Sequence, residues 1–156
     1  MRTKGIVLFG LLSSLILSCA TPKPMLESQP LTRVEFRLAS GDAQAGFLTM
    51  ILPETEESVY VSPEVILSNN DIRNARYIQD VRGAPAVEIQ FTQVGKQKFA
   101  DFTSAHVGEM AAILVDGQVT ATPTIRAAIT NGLAVINGRF TESEAKAIAS
   151  SIVSGK

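Results

Sequence analysis

The sequence predicts an α+β fold, a two-layer sandwich in which two main helices cover one face of a mixed or antiparallel sheet. Three observations predict it. Residues 87–91 alternate apolar and polar side chains, which is typical of a half-buried strand. Residues 95–106 and 141–152 instead carry apolar side chains at helical spacing. Strands and helices do not alternate regularly along the chain, so we do not expect a doubly wound parallel sheet.

Three strands are predicted before the central one. Residues 34–38 alternate apolar and polar side chains, and the turn sequence Ser-Gly-Asp at 40–42 ends this strand. Apolar runs at 47–52 and 59–61 predict two more strands. The sequence Ser-Asn-Asn-Asp at 68–71 is rich in turn and cap formers and predicts a brief helical turn.

The first main helix is predicted at 95–106. Phe99, Phe102 and Ala105 share one stripe of this segment, and Gly108 marks its end. The same spacing indicates that the two phenylalanines belong to the core rather than to a ligand-stacking pair.

A hairpin and one more strand are predicted between the helices. Asp116-Gly117 separates two apolar runs within 111–121, which is typical of a hairpin with a two-residue turn. Residues 133–136 predict a strand. Asn-Gly pairs bracket this strand at 131–132 and 137–138, and we expect positive φ angles at both pairs.

The second helix is predicted by its start signal. Thr141 and Glu144 have the spacing of a capping box, which opens a helix through Ile152. Its buried face is expected to consist of Ala145, Ile148, Ala149 and Ile152.

Composition excludes several classes of function. The chain has 156 residues, enough for one ordinary domain. Its 14 Lys and Arg against 15 Asp and Glu lack the basic excess that nucleic-acid binding requires. One cysteine and one histidine exclude a disulfide scaffold and a multi-histidine metal site. We therefore expect no metal, no cofactor and no nucleic-acid partner.

Residues 1–18 are predicted to be a secretory signal. Arg2 and Lys4 precede a charge-free run at 5–17, which is shorter than the roughly 20 apolar residues that span a bilayer. Loss of this segment changes the net charge from −1 to −3.

The signal ends in Leu15-Ile16-Leu17-Ser18-Cys19, which resembles a bacterial lipobox. The resemblance implies cleavage before Cys19 and acylation of its sulfur and amine, which would fix the protein to the membrane. A buried cysteine in an uncleaved hydrophobic anchor is the alternative. Ala20 stands where an aspartate would resemble an inner-membrane retention signal, which favours the outer membrane. Residues 19–31, with three prolines, predict an extended linker to a domain at 32–156.

Taken together, the motifs resemble the periplasmic head region of SecD, an accessory subunit of bacterial protein export. Their order and spacing agree over roughly residues 33–152. The matching stretches are 34–38, 68–76, 83–91, 98–103, 107–108, 113–117, 121–123, 129–132 and 138–145.

The resemblance implies an α+β head that engages polypeptides emerging from the translocon. Members of the SecD family couple export to the proton gradient through transmembrane helices, and no apolar run of spanning length follows Cys19. The resemblance therefore implies the soluble head alone, without proton coupling.

Several groups of polar residues are candidates for a catalytic or binding site. Asp101, Ser104 and His106 are triad residue types, but Ser104 and His106 lie two positions apart on a predicted helix and point to nearly opposite faces. A polar helix end, with the histidine favoured by the helix dipole, is the preferred interpretation.

The charged groups give no stronger signal. The acidic cluster Glu54, Glu56 and Glu57 lacks the spacing and glycine of a calcium loop and indicates a solvated loop. Lys96 follows Gly95 without the other glycine of a phosphate loop. If residues 73–76 are helical, Arg73 and Arg76 share one face of the helix. This face either binds an acidic partner or is exposed to solvent, and the exposed charged face is the more common case.

We therefore predict no catalytic residues and a non-enzymatic, lipid-anchored envelope protein facing the periplasm. Its expected partners are the membrane, through Cys19, and secretory polypeptides or translocon components, bound in an apolar groove or at a sheet edge. The alternative is an envelope adaptor that docks one folded partner and has no part in export. A small hydrolase is the third hypothesis, and it predicts that replacing His106 abolishes turnover.

Overall fold

Eight strands and two helices make up the part of the chain that the computed structural model describes, residues 32–53 and 55–154. A 3-10 turn at Asn69–Asp71 precedes the fourth strand. The strands are β1 (Val34–Ser40), β2 (Leu48–Ile51), β3 (Ser58–Val61), β4 (Ile72–Gln79), β5 (Pro85–Phe91), β6 (Met110–Val115), β7 (Gln118–Ala121) and β8 (Leu133–Asn137). The helices are α1 (Gln93–Ala105) and α2 (Glu142–Ser154).

The strands form two sheets. A five-stranded sheet has the order β2-β3-β1-β6-β7, and a three-stranded sheet has the order β4-β5-β8. Every pairing between named strands is antiparallel. The predicted α+β class with two main helices is confirmed, but the expectation of a single sheet is wrong. The strand predicted at 87–91 pairs with β4 and β8 and with no strand of the larger sheet.

Arg73 and Arg76 lie in strand β4 and not on a helix, so the expectation that they share a helical face is wrong. The ladder with β5 shifts its register between Ile72 and Asn74, so Arg73 lies in a β-bulge. The extra residue breaks the two-residue periodicity, which is why the sequence pattern did not indicate a strand. Arg76 faces Glu88 on the neighbouring strand at 2.7 Å, while Arg73 is exposed.

Helix α1 begins in close contact with the 3-10 turn. Thr92 caps the helix, because its hydroxyl accepts a hydrogen bond from Gly95 N at 3.0 Å. A Cβ added to Gly95 would lie 2.3 Å from Asp71 O, so only glycine allows this approach. Lys98, one turn further along, holds the Asp71 carboxylate at 2.8 Å.

Three phenylalanine rings join the two sheets and α1. Phe36 of β1 makes edge-on contacts with Phe91 of β5 and Phe99 of α1, at centroid distances of 5.5 and 5.8 Å. Phe91 and Phe99 lie 4.9 Å apart. Phe99 and Phe102 are each 5% exposed, which confirms them as core residues. Ala105, predicted on the same stripe, is exposed, and Thr103 is buried instead.

Helix α2 packs on the small sheet as its sequence predicts. Glu144 accepts hydrogen bonds from Thr141 N and Oγ1 and donates its own N–H to Thr141 Oγ1, which confirms the capping box. These bonds lower the pKa of the Glu144 carboxyl. Ala145, Ala149 and Ile152 are buried, and Ile148 is half-buried against the core.

The positive φ angles expected at the glycine turns are present at two positions and absent at a third. Asp116 and Gly117 have φ angles of 51° and 81°, which confirms the hairpin turn between β6 and β7. Gly132 has φ 77° as expected. At the second Asn-Gly pair the expectation is wrong, because neither residue has positive φ. Gly138 is needed there for space, since a Cβ would lie 2.7 Å from Thr120 Cγ2.

No helix within the described residues is long and apolar enough to cross a membrane. The predicted signal at 1–18, the lipidation site Cys19 and the linker through residue 31 lie outside the described residues. Those three interpretations remain predictions.

Candidate functional site

An apolar groove opens between α1, the centre of the large sheet and the connection from β7 to β8. Its volume is about 400 Å³. Phe36, Phe99, Ala111 and Ile113 lie on its inner side, where each is buried. The residues of the connection that line it are Pro123, Thr124, Ile125, Arg126, Ala127 and Ile129. The arrangement is an open cleft with an apolar lining, which suits apolar side chains of a ligand.

A second groove of about 470 Å³ adjoins the first. Ile113, Pro123 and Val135 line both, so the two are contiguous. Val135 belongs to β8, and no strand in the described part of the chain pairs with the outer edge of β8. An unpaired strand edge presents backbone N–H and C=O groups to a ligand, so apolar contacts and backbone hydrogen bonds are both available here.

The connection that forms one wall of the groove is held by backbone and side-chain hydrogen bonds. Ile125 N donates to Glu109 O, and Gly108 N donates to Ile125 O, each at 2.8 Å. Ile129 N donates to Thr103 Oγ1 at 2.9 Å. Residues 122–129 therefore follow the start of β6 and then turn along α1, which fixes the width of the groove.

The second groove has a charged end at the turn between β4 and β5. Asp80 Oδ1 accepts hydrogen bonds from Arg82 N at 2.8 Å and Ala84 N at 2.9 Å. The hydrogen bonds from Ala84 and Arg82 lower the pKa of the Asp80 carboxyl. Arg82 Nη2 lies 3.5 Å from Asp80 Oδ2, so the two charges offset one another. Glu57, from the turn between β2 and β3, also lines this groove.

The structure does not bring the triad residue types together. Asp101 accepts a hydrogen bond from Gln97 Nε2 at 2.9 Å, and Ser104 is exposed on α1. His106 caps the C-terminus of α1, and its Nδ1 lies 3.3 Å from Glu109 Oε1. The histidine ring packs against Phe102 at a centroid distance of 5.1 Å. Its surroundings are therefore those of a helix end.

The remaining charged candidates are dispersed. Glu56 and Glu57 lie in the turn between β2 and β3, while Glu54 falls outside the described residues. Within the described residues no group of three metal-ligating side chains converges. The Lys96 side chain packs over Gly132, since a Cβ on that glycine would lie 3.0 Å from Lys96 Cδ.

Sequence reasoning missed the connection between β7 and β8 as part of a site. The segment Thr122-Pro-Thr-Ile-Arg-Ala-Ala-Ile-Thr130 is long and carries apolar residues, although it has no strand or helix over most of its length. The connection is longer than the usual loop of about 4–6 residues, and binding residues often lie in loops, so the length and composition of this one were available signals. Its position beside β8 depended on the pairing of distant strands.

Comparison with known proteins relates this arrangement to protein export. Residues 47–156 match the family described as SecDF, P1 head subdomain. The chain belongs to this family. Strand β1 precedes the matched residues, yet it lies between β3 and β6 in the large sheet, so the head fold of this chain includes it.

Two curated relatives illustrate the similarity. The chain is 39% identical over 102 residues to the protein translocase subunit SecD of Rhodobacter capsulatus, covering 64% of this chain and 18% of that protein. It is 41% identical over 90 residues to the protein translocase subunit SecDF of Thermus thermophilus, covering 58% of this chain and 12% of that protein. The chain thus matches less than a fifth of either relative's length.

Two solved structures share the P1 head fold. One is described as a membrane component SecDF that enhances protein export; it aligns with a TM-score of 0.64 and 29% identity, over 80% of this chain and 63% of that one. The other, SecDF in a super-membrane-facing form, aligns with a TM-score of 0.65 and 30% identity, over 81% of this chain and 19% of that one.

Proposed function

We propose that this P1 head subdomain is a non-enzymatic, lipid-anchored envelope module that binds extended polypeptide segments during protein export. The observation that carries the proposal is the apolar groove beside β8, whose outer edge pairs with no strand in the described part of the chain. Its volume lies within the roughly 300–1,000 Å³ of typical ligand sites. Asp101 and His106 each contact another residue of their own segment, which agrees with a binding role for this subdomain.

Strand addition explains how one site accepts many exported chains. An extended segment placed along β8 forms backbone hydrogen bonds, which do not depend on its sequence. Alternate side chains of an extended segment point the same way, so those facing the groove enter an apolar environment. Burial of each large apolar side chain contributes about 1.5–3 kcal/mol before the entropy of ordering is subtracted.

The relatives support a role in export. Their names describe translocase subunits, and one related structure is described as a component that enhances protein export. We transfer to this chain the part of that role that a head subdomain performs by itself, contact with the exported polypeptide. Translocon components are the second expected class of partner.

The lipid anchor belongs to the same proposal. Cys19 follows a short apolar segment and a small residue, which favours lipidation and a position at the membrane surface facing the periplasm. Ala20 favours the outer membrane. The lipid and the Pro-rich linker would hold the head in the periplasm, the compartment that exported polypeptides enter.

Site-specific photo-crosslinking in cells tests the binding function. A photoreactive residue at Ile129 or Val135 lies in the groove, whereas one at the exposed Val94, in the first turn of α1, lies outside the lining of both grooves and serves as the control. A defined secretory precursor, arrested during export, should crosslink at the groove positions and not at the control. Equal crosslinking at all three positions contradicts the proposal. One stoichiometric folded partner, captured whether or not secretion is blocked, would support the adaptor function instead.

Fatty-acid labelling tests the anchor. Cys19→Ala should abolish incorporation of labelled palmitate and leave an uncleaved precursor. Ser18→Ala keeps a small residue before the cysteine and should label normally. Unchanged labelling of the Cys19→Ala protein would refute the anchor without affecting the groove. Density-gradient separation of inner and outer membranes then tests the predicted location.

A further inference from the structure

The groove has one charged residue in its lining. Arg126 lies between Ile125 and Ala127 in the connection from β7 to β8, and the other lining residues are apolar, apart from two threonines. No described residue gives Arg126 a hydrogen bond or an ion pair. By contrast, Arg37, Arg76 and Arg82 each contact a carboxylate. Arg126 is thus an exposed cation at an apolar site, and none of the residues that the structure describes accepts a hydrogen bond from its side chain.

The backbone around Arg126 is fixed on both sides. Ile125 is 6% exposed and is joined to Gly108 and Glu109 by two hydrogen bonds. Three residues beyond Arg126, Ile129 is joined to Thr103. The carboxylate of Glu109 faces His106 at 3.3 Å. The backbone position of Arg126 is therefore set by the fold, and the Glu109 carboxylate on the paired segment lies beside His106.

An arginine at such a position recognises carboxylates. The planar guanidinium donates two parallel hydrogen bonds to a carboxylate, and these charge-assisted bonds are roughly twice as strong as neutral ones. Consecutive residues of an extended ligand are about 3.3 Å apart. When one apolar side chain fills the groove, the next one or two residues of the ligand therefore lie close to the connection from β7 to β8 that carries Arg126.

We infer that the groove selects extended segments in which a carboxylate lies within about two residues of an apolar side chain, and that Arg126 binds this carboxylate. The inference rests on the proposed polypeptide-binding function. It adds a specificity-determining residue and a class of preferred segment. The carboxylate is an Asp or Glu side chain or the free C-terminus of a polypeptide.

Peptide binding to the full-length protein in detergent micelles tests the inference. Three fluorescent, C-terminally amidated octapeptides differ only in the residue after a central leucine, which is glutamate, glutamine or lysine. The glutamate peptide should bind about tenfold more tightly than the glutamine peptide at low salt, and the lysine peptide more weakly than both. Added salt should reduce the preference. A shortened glutamine peptide, which ends in a free carboxylate directly after the glutamine, tests the second source of carboxylate.

Two charge variants separate Arg126 from general electrostatics. Arg126→Gln should lose the glutamate preference and retain binding of the glutamine peptide. Arg73→Gln removes an exposed arginine that lies outside the groove, and it should keep the preference. Equal affinities of the wild-type protein for all the peptides, or a preference that persists in Arg126→Gln, would overturn the inference while leaving the binding function intact. Failure of every apolar peptide to bind would contradict the proposed function itself.

Discussion

The hydroxyl of Thr103 links helix α1 to Ile129, in the connection that borders the groove. Thr103 Oγ1 accepts a hydrogen bond from Ile129 N at 2.9 Å and donates one to Phe99 O at 2.7 Å. Thr103 is 1% exposed and Ile129 is 36% exposed, so the hydrogen bond between them lies at the edge of the core. One buried side chain thus positions one wall of the candidate site relative to the helix that forms another.

Replacement of Thr103 by valine should loosen this wall. Valine matches threonine in shape but leaves the N–H of Ile129 without an acceptor, which costs about 1–3 kcal/mol when the group stays buried. We expect a lower free energy of unfolding in urea, faster hydrogen exchange at the Ile129 amide and weaker peptide binding. Thr103→Ser retains the hydroxyl and should preserve the slow exchange. Unchanged exchange in Thr103→Val would show that the hydrogen bond does not hold the connection.

Gly95→Ala should destabilise the protein, although alanine is normally the better helix former. The added Cβ would lie 2.3 Å from Asp71 O, so α1 must move away from the 3-10 turn. We expect a loss of about 1–3 kcal/mol in urea denaturation, as for other overpacked sites. Ser104→Ala, at an exposed position of the same helix, should instead stabilise by about 0.5 kcal/mol. A stabilising effect of Gly95→Ala would refute the close contact.

Glu35 should contribute strongly to stability through a partly buried ion pair. Its side chain is 5% exposed and accepts hydrogen bonds from Arg37 Nε at 2.9 Å and Nη2 at 2.6 Å. Arg37 also donates to Ser62 O and Pro63 O, which joins β1 to the segment after β3. Glu35→Gln leaves the guanidinium without its counter-charge, so we expect a loss of about 3 kcal/mol in thermal or urea unfolding.

The exposed pair between Arg76 and Glu88 provides the matched control for Glu35. The Arg76 side chain is 66% exposed, and such pairs contribute little because water and salt screen them. Glu88→Gln should therefore have a much smaller effect than Glu35→Gln. Replacing both members of the buried pair with apolar residues should recover part of the loss. Equal effects of the two single variants would contradict the assigned difference in burial.

Acid should destabilise the turn between β4 and β5 through Asp80. Backbone N–H groups of Ala84 and Arg82 lower the pKa of this carboxyl in the folded protein. A lowered folded pKa means that the stabilisation is complete above the unfolded pKa of about 3.9 and is lost as pH falls through the folded value. We expect the wild-type protein to lose more stability than Asp80→Asn between pH 5 and pH 2, in urea titrations at each pH.

The same titration has an internal control. Glu144, whose pKa is also lowered, is present in both proteins and contributes equally to each curve. The difference between the curves therefore reports Asp80 alone. Parallel curves down to pH 2 would show that the turn does not stabilise the charged carboxylate.

The sequence predicts an element correctly where its residue pattern depends only on neighbouring residues. The alternation at 87–91, the Asp-Gly turn at 116–117 and the capping box at Thr141 each depend on neighbours in sequence, so the sequence predicted them correctly. The predictions that were wrong involve contacts between distant residues. Gly138 is placed by its approach to Thr120, and β4 contains a bulge that hides its periodicity.

By itself, the sequence determined the fold class, the two helices and the family resemblance, because periodicity and turn chemistry are local properties. It also contains a segment ending at Cys19 that resembles a lipobox, and lipidation of this cysteine stays a prediction. Only the tertiary structure decided that the strands divide into two sheets and that no strand of the described residues pairs with the outer edge of β8. The tertiary structure also decided that Arg126 lies on an apolar groove. These features depend on which distant segments bury their apolar faces together, and the free energy of that packing is not encoded in any one stretch of sequence.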